Sequence, residues 1–366
     1  MNRNIFEDLF VLEMTNNHLG SLERGLEIVK QFSRIARFNN VRAAIKLQFR
    51  DVKSFVHKDY YDNEDIRYIK RTMETELSWD DYAILVKAIV EGGCIPMATP
   101  FDEYSVDMCC KFNMPIIKVA SADSNDWILL EKIAKTKKPV IISLAGTSIK
   151  DTDDLVTFFE NRNIPLALNH CIATYPSEDG ELELNQIDYL KNRYPNHTIG
   201  LSTHESNKSP NLDHSLIISY AKGARMFEKH IDIDSDGQEM SLYSCSPHQL
   251  DSWFKAFKKA HEMCGSPGSD RKLPLKKESE FLDKYTRGVY AKRDLPAGYQ
   301  LHNDSYENDI YLSIPILKGQ ISCRELMNGE TILRAIKKDE KISIDDIDSP
   351  YATDEDLKKF IYKRGF

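Results

Sequence analysis

Charged and polar side chains recur at the ends of short apolar runs along the first two thirds of the chain. They are Glu13, Lys46, Gln48, Thr99, Lys118, Ser121, Ser143, Asn169, His170, Ser202, His204, Glu228 and His230. Exposed strand ends that cap the next helix would explain a few of the hydroxyl groups. They would not explain the lysines, glutamates and histidines, because such groups are costly to bury in apolar surroundings without partners. The pattern predicts one shared polar site.

Eight apolar runs, each followed by a helical pattern, must position these residues. The first run is Phe10–Met14, the last is Met226–Ile231, and the first helical pattern begins at Leu22 behind Ser21 as a possible N-cap. Near-continuous apolar runs are typical of parallel strands that are buried on both faces. No glycine-rich fingerprint follows the first run, and eight units favour a closed α/β (β/α)8 TIM barrel over a doubly wound open sheet. The strand ends of such a barrel converge at one mouth, where we expect the site.

The two histidines His204 and His230 lie on neighbouring predicted strands at the same depth. Two imidazoles in that arrangement can bind one divalent ion and leave positions open for substrate or water. The alternative is that each is a buried histidine with ordinary hydrogen bonds, and that is our interpretation of His18 and His170. For the matched pair we favour the metal.

A second group of residues has the chemistry of an anion site. Lys118 supplies a positive charge, and Thr99, Ser143 and Ser202 supply hydroxyl donors, which suits a phosphate or a carboxylate. There is no Walker loop, so a nucleotide cradle is not indicated. A structural lysine with three capping hydroxyls would explain the same residues, and composition alone does not separate the two interpretations.

Composition and charge argue against several classes of binding partner, and changes in the sequence pattern indicate the domain boundaries. The 366 residues have a formal charge of -8 and a pI near 5.8, which argues against a nucleic-acid surface. No run approaches a membrane span, the N-terminal residues do not form a signal peptide, and seven cysteines without CxxC spacing indicate a reducing cytoplasm. We predict a barrel over 1–264, a linker over 265–285, a small domain over 286–350 and a tail over 351–366.

Seven motifs in order, each at a predicted strand end, make a specific match to a known family. They are Glu13–Gly20, Ile45–Gln48, Ala98–Asp102, Ile117–Ser121, Asn169–Cys171 with Tyr175-Pro176, Gly200–His204 and Glu228–His230. The chain resembles the sialic acid (N-acetylneuraminate) synthases and related nonulosonate synthases over nearly its full length. The stretch after Arg287 is similar to the C-terminal antifreeze-like domain of that family, of the β-clip type.

The resemblance implies a cytoplasmic transferase that condenses phosphoenolpyruvate with an open-chain sugar aldehyde to give a 3-deoxy-2-keto sugar acid. It implies that phosphoenolpyruvate is bound by Thr99, Lys118, Ser121, Ser143 and Ser202, and the sugar by Lys46, Gln48, Tyr175 and Glu239. It also implies that His204 and His230 hold a divalent ion, expected to be Mn²⁺, which polarises the aldehyde. Glu13 and Glu228 would assist proton movement. The expected assembly is a domain-swapped homodimer. Its expected ligands are these two small-molecule substrates, and we expect no binding to nucleic acid or to a membrane.

Four departures from the family pattern concern the substrates. Where the family has an asparagine, a glutamate and an arginine, this chain has Ala173, Asp123 and Ile314. An acidic residue of the family aligns here with Met240, or with Glu239 if the gap is placed differently. We therefore predict a synthase for a different acceptor sugar. Two alternatives remain, a metal-dependent barrel aldolase or lyase and a non-catalytic binding relative. The latter would have little need to keep the glutamate, lysine and histidines together.

Overall fold

A computed structural model describes residues 4–61, 63–234, 237–265 and 273–366. The chain divides into two compact units, Met1–Ser266 and Pro267–Phe366. Residues 266–272 of the predicted linker lie outside the described part of the chain. Within the described ranges, no helix is both long and apolar enough to cross a membrane.

The eight strands of the first unit run parallel and pair in chain order, and the last strand pairs with the first. The strands are β1 (Leu9–Glu13), β2 (Arg42–Phe49), β3 (Ile95–Pro100), β4 (Ile116–Val119), β5 (Val140–Ser143), β6 (Leu166–Cys171), β7 (Thr198–Thr203) and β8 (Met226–His230). The predicted (β/α)8 barrel is confirmed.

The helices of this unit alternate with the strands and cover the barrel. They are α1 (Leu22–Phe38), α2 (Val52–Phe55), α3 (Arg67–Glu74), α4 (Trp79–Glu91), α5 (Glu103–Lys111), α6 (Trp127–Lys135), α7 (Ile149–Glu160), α8 (Gln186–Arg193), α9 (His214–Lys222) and α10 (Pro247–Cys264). Serine hydroxyls accept hydrogen bonds from first-turn N–H groups at Ser21, Ser78, Ser148 and Ser246, which explains where four of these helices begin.

The barrel interior changes from apolar to polar along the strands. Near the N-terminal ends, the buried side chains Leu9, Val11, Ala44, Met97, Ile116, Ile141, Ala167 and Met226 form one apolar cluster. Alternate residues of a strand share a face, so the next inward positions toward the C-terminal ends include Glu13, Lys46 and Lys118. The apolar layer is therefore the floor on which the polar site rests.

The second unit has its own apolar core and two small antiparallel sheets. Its elements are β9 (Gly288–Ala291), β10 (Ile310–Ser313), β11 (Thr331–Ile332), β12 (Ile347–Asp348), α11 (Lys276–Asp283), α12 (Ser305–Asn308), α13 (Cys323–Leu326) and α14 (Glu355–Ile361). Helix α11 lies within the predicted linker and α14 within the predicted tail. Arg364 donates two hydrogen bonds to Asp283, at 3.0 and 2.6 Å, so both segments belong to the folded unit. The antifreeze-like assignment stays a prediction.

Gly200 of β7 lies in a closely packed part of the barrel interior, where there is no room for a larger side chain. A Cβ at this position would lie 2.1 Å from Asn169 Oδ1 and 3.0 Å from the main-chain oxygen of Met226. We expect Gly200→Ala to lower the free energy of unfolding by about 1–3 kcal/mol in chemical denaturation. Gly180→Ala is the matched control, because no atom lies within 4 Å of its Cβ position. Equal stabilities for the two variants would contradict this packing.

Candidate active site

A cavity of about 510 Å³ opens at the C-terminal ends of the barrel strands. Most of the predicted site residues line it, namely Glu13, Lys46, Gln48, Thr99, Lys118, Ser121, Ser143, Tyr175, His204, Glu228 and His230. The structure thus brings together side chains from six of the eight barrel strands, while Tyr175 follows β6 and His204 follows directly after β7.

Lys46 is buried at the base of the cavity between two carboxylates. Its ammonium group pairs closely with Glu13 and lies 3.4 Å from Glu228 Oε1, and it donates a hydrogen bond of 2.9 Å to Thr99 Oγ1. Glu13 faces Lys46 directly across the β1–β2 pairing. Burial, together with the charge of Lys118, lowers the pKa of Lys46 to about 8.

Glu228 connects this pair to Lys118 on the other side of the cavity. Lys118 Nζ lies 3.2 Å from Glu228 Oε2 and donates a hydrogen bond of 2.7 Å to Ser143 Oγ. Asn169 Nδ2 donates to the same carboxylate oxygen at 3.3 Å. Burial acts to raise the pKa of Glu228, but the charges of Lys118 and Lys46 outweigh it and hold that pKa below its usual range. The carboxylate is therefore ionised at neutral pH.

Glu13 is held in place by donors on its other oxygen. Its Oε1 accepts hydrogen bonds from the main-chain N–H of Thr15 at 2.9 Å and from Gln48 Nε2 at 3.1 Å. Gln48 lies two residues beyond Lys46 on the same face of β2. The acid, the lysine and the amide therefore form one rigid wall.

The two predicted metal ligands lie side by side, with ring centroids 4.9 Å apart. His204 Nδ1 is 2.8 Å from the carbonyl oxygen of Ile172, and a carbonyl can only accept, so Nδ1 carries the proton and Nε2 has the lone pair. Burial lowers the pKa of His204 to about 4, and burial with the charge of His204 lowers the pKa of His230 well below its usual range. Both imidazoles are therefore neutral at neutral pH.

The pair fits a divalent ion as two nitrogen ligands. The Nδ1 atom of His230 is buried and has no hydrogen-bond partner, which is unusual for a histidine that serves only packing. Within the described ranges, no group of three or more histidine, cysteine, aspartate or glutamate side chains is arranged to hold a metal. An ion at this place would take its remaining ligands from substrate or water.

Two tyrosine rings pack against the histidines. Tyr175 lies 4.2 Å from the His204 ring, and Tyr243 lies 5.2 Å from the His230 ring and 5.1 Å from Tyr175, measured between centroids. Burial raises the pKa of the Tyr175 hydroxyl, so this group stays protonated. The sequence analysis missed Tyr243, because it lies in the loop after β8, where no periodic pattern indicates a direction.

Two predicted site residues do not line the cavity. Ser202 is buried and faces inward from β7, but it hydrogen-bonds with the Cys171 thiol and lies beside a separate small void. Glu239 is exposed and is absent from the cavity wall. The predicted roles of these two residues are therefore not supported by their positions.

The cavity also has a basic wall that the sequence analysis missed. Arg50, Tyr68, Arg71 and Thr72 line the same cavity. Arg50 follows β2 and continues its alternation of inward residues, so it could have been found from that spacing. Tyr68 and Arg71 come from α3, inside the long β2–β3 connection, and no barrel-strand pattern points to them.

Comparisons with known proteins agree with this geometry. A protein-family model described as the NeuB family matches residues 38–269. A crystal structure of a Chromobacterium violaceum protein named for spore coat polysaccharide biosynthesis protein E is 33% identical, with a TM-score of 0.87, covering 94% of this chain and 100% of that one.

Two curated relatives are named synthases. The human N-acetylneuraminate-9-phosphate synthase is 26% identical over 80% of this chain and 80% of its own length. A Campylobacter jejuni pseudaminic acid synthase is 26% identical over 84% of this chain and 88% of its own length. The chain belongs to the NeuB family.

Proposed function

We propose that this chain condenses phosphoenolpyruvate with an open-chain sugar aldehyde to give a 3-deoxy-2-keto sugar acid. The observation that carries the proposal is the placement of the Lys118–Glu228–Lys46 cluster and two neutral histidines in one cavity. The relatives named as synthases of sugar acids support the same class of reaction. Their names include a phosphorylated and an unphosphorylated product, so they leave the charge of the acceptor open.

The Lys118 side of the cavity suits the phosphate and carboxylate of phosphoenolpyruvate. Lys118 supplies a buried charge and donates a hydrogen bond to the Ser143 hydroxyl. Lys46, on the other side of the Glu228 carboxylate, donates to the Thr99 hydroxyl. Ser121 Oγ accepts from the Ala145 N–H at 3.1 Å and hydrogen-bonds with the Cys171 sulfur, and its hydroxyl lines the cavity. A charged anion bound in this dry setting is held more strongly than it would be in water.

The reaction makes one carbon–carbon bond and replaces the carbon–oxygen bond to phosphate by one to water. The methylene carbon of phosphoenolpyruvate bonds to the aldehyde carbon, and the aldehyde oxygen takes up a proton to become a hydroxyl. Water adds to the former enol carbon that carries the phosphate, and inorganic phosphate leaves as the ketone forms. Lys46, whose pKa lies near 8, is suited to give the first proton, and ionised Glu228 is suited to take the proton that water loses.

A divalent ion, which we expect to be Mn²⁺, would be held by His204 and His230. When bound, it supplies a positive charge that polarises the aldehyde oxygen. Glu13, Gln48 and Tyr175 line the same cavity and would contact the hydroxyl groups of the sugar. The homodimer inferred from the resemblance stays a prediction.

The metal assignment predicts that His204→Ala and His230→Ala each lose Mn²⁺ binding and phosphate release from phosphoenolpyruvate plus a panel of aldoses. His214→Ala is the control, because this histidine is exposed at the start of α9. Titration calorimetry measures the ion, and a colorimetric assay measures phosphate. Full Mn²⁺ affinity in both variants would contradict the assignment. Ion binding without phosphate release by the native chain would instead favour an aldolase, a lyase or a binding relative.

The pKa of Lys46 predicts the alkaline side of the pH profile. Lys46 carries its proton below pH 8 and loses it above, so kcat/KM should fall above about pH 8. Lys46→Arg keeps the charge, and a guanidinium does not titrate in this range. We expect a slower enzyme that lacks this alkaline decline. An active variant with an unchanged decline would show that another group is responsible.

The changed acceptor contacts predict weak use of N-acetylmannosamine. Ala173 lines the cavity without a polar group, and Glu239 does not reach it. Each polar group of the sugar that is left unpaired lowers affinity by about 1–3 kcal/mol. We expect kcat/KM for this sugar to lie below about 10⁴ M⁻¹s⁻¹ in steady-state kinetics. A higher value would mean that the departures from the family pattern do not affect the acceptor.

A further inference from the structure

Three side chains of β2 and its extension form a row from the base of the cavity to its rim. Lys46, Gln48 and Arg50 are two residues apart, so they share one face, and all three line the cavity. At about 3.3 Å per residue, the backbone of Arg50 lies roughly 13 Å farther out than that of Lys46. An extended sugar with its aldehyde at the base would have its other end near Arg50.

The guanidinium of Arg50 is fixed in place, yet it keeps free donors. Its Nη2 donates to Gln48 Oε1 at 2.8 Å and to the Tyr68 hydroxyl at 3.1 Å, and the group lies 3.8 Å above the Phe101 ring. Its Nε is buried and has no hydrogen-bond partner. Across residues 4–61, 63–234, 237–265 and 273–366, no carboxylate forms an ion pair with it.

Arg71 of α3 adds a second charge to the same wall. It is partly buried, and its side chain makes no ion pair or hydrogen bond with any described residue. Tyr68, whose hydroxyl accepts a hydrogen bond from Arg50, lies three residues before Arg71 on α3, so Tyr68 and Arg71 share one face of that helix. Arg50 and Arg71 both line the cavity beside this face.

The Asp123 carboxyl only partly neutralises this wall. Asp123 interacts electrostatically with Arg50, but burial raises its pKa to about 7, so at neutral pH it is only partly ionised. Some other arginines of the chain do have carboxylate partners, for example Arg193 with Asp153 and Arg364 with Asp283. Arg50 and Arg71 line the cavity without such a partner among the described residues.

We infer that the acceptor sugar carries a phosphate or carboxylate group at the end remote from its aldehyde, and that Arg50 and Arg71 bind this group. The inference rests on the proposed function for the identity of the other substrate. A guanidinium presents paired donors that match a phosphate or a carboxylate, which an uncharged hydroxyl cannot use as well. Gln48 bonds both Glu13 and Arg50, so it links the reacting end of the site to the charged end.

The first test measures binding without turnover, by calorimetry on the full chain. Mannitol, mannitol 1-phosphate and mannonate have the same carbon chain and no aldehyde, and they differ in the charge of one end. We expect one of the two anions to bind roughly 10- to 100-fold more tightly than mannitol. If mannitol 1-phosphate binds tightly and mannonate weakly, the acceptor is a sugar phosphate. If mannonate binds more tightly, the acceptor is a sugar acid. Equal affinities for all three compounds would overturn the inference.

Variants show where the anion binds. Arg50→Gln and Arg71→Gln should each reduce the ratio of anionic to neutral affinity to near one. Lys70→Gln removes the same charge from α3, but Lys70 is exposed and pairs with Glu64, so the ratio should stay unchanged. If Arg50→Gln is unstable because it loses its stacking on Phe101, Arg71→Gln decides alone. An anion preference that survives Arg71→Gln would place the anion elsewhere and overturn the inference.

Turnover separates this inference from the proposed function. Phosphate release is measured with phosphoenolpyruvate and mannose, mannose 6-phosphate or mannuronate. Arginine-dependent anion binding with no phosphate release from any sugar would overturn the proposed condensation and keep the anion site. Efficient release from mannose with no preference for either charged sugar would keep the condensation and overturn the anion site.

Discussion

Two lysines and two glutamates are buried together at the base of this barrel, and the rest of the site depends on their mutual pairing. Removing one partner of such a set would leave an uncompensated charge in a dry interior, at about 3–5 kcal/mol. The strand register makes the pairing possible, because Glu13 faces Lys46 on one side and His230 on the other. The pairing of β1 with β8, which closes the barrel, therefore also brings Glu13 beside His230 in the site.

The same dryness explains the state of the histidines. Burial lowers the pKa of both imidazoles, so the chain keeps them uncharged beside two lysines. Only an uncharged imidazole has a lone pair for a metal, and the hydrogen bond from His204 to the Ile172 carbonyl leaves that lone pair on Nε2. Close packing of Tyr175 and Tyr243 limits how the rings can turn. Metal affinity in such a site is a consequence of packing as much as of ligand type.

Sequence reasoning found the fold and the base of the cavity because both follow from strand periodicity. Polar residues at the inward positions of parallel strands must converge, so Lys118 and Glu228 could be placed together before their contact was known. Periodicity does not show which inward side chains are covered by their neighbours, which is why Ser202 faces inward but bonds to Cys171 instead of lining the cavity. It also carries no information about loops, and Glu239 and Arg71 lie outside the strands.

The charges at the base of the cavity and those at its rim should differ in how strongly added salt weakens their interactions. The two lysines and two glutamates at the base sum to zero, so this cluster attracts an anion mainly through directed hydrogen bonds. At the rim, Arg50 and Arg71 are unbalanced and partly exposed, so their attraction reaches farther into solvent. At 0.1 M salt, interactions between exposed charges are largely screened beyond about 10 Å, whereas buried pairs are screened much less. Added salt should therefore weaken the capture of a charged acceptor at the rim before it disturbs the reacting groups below.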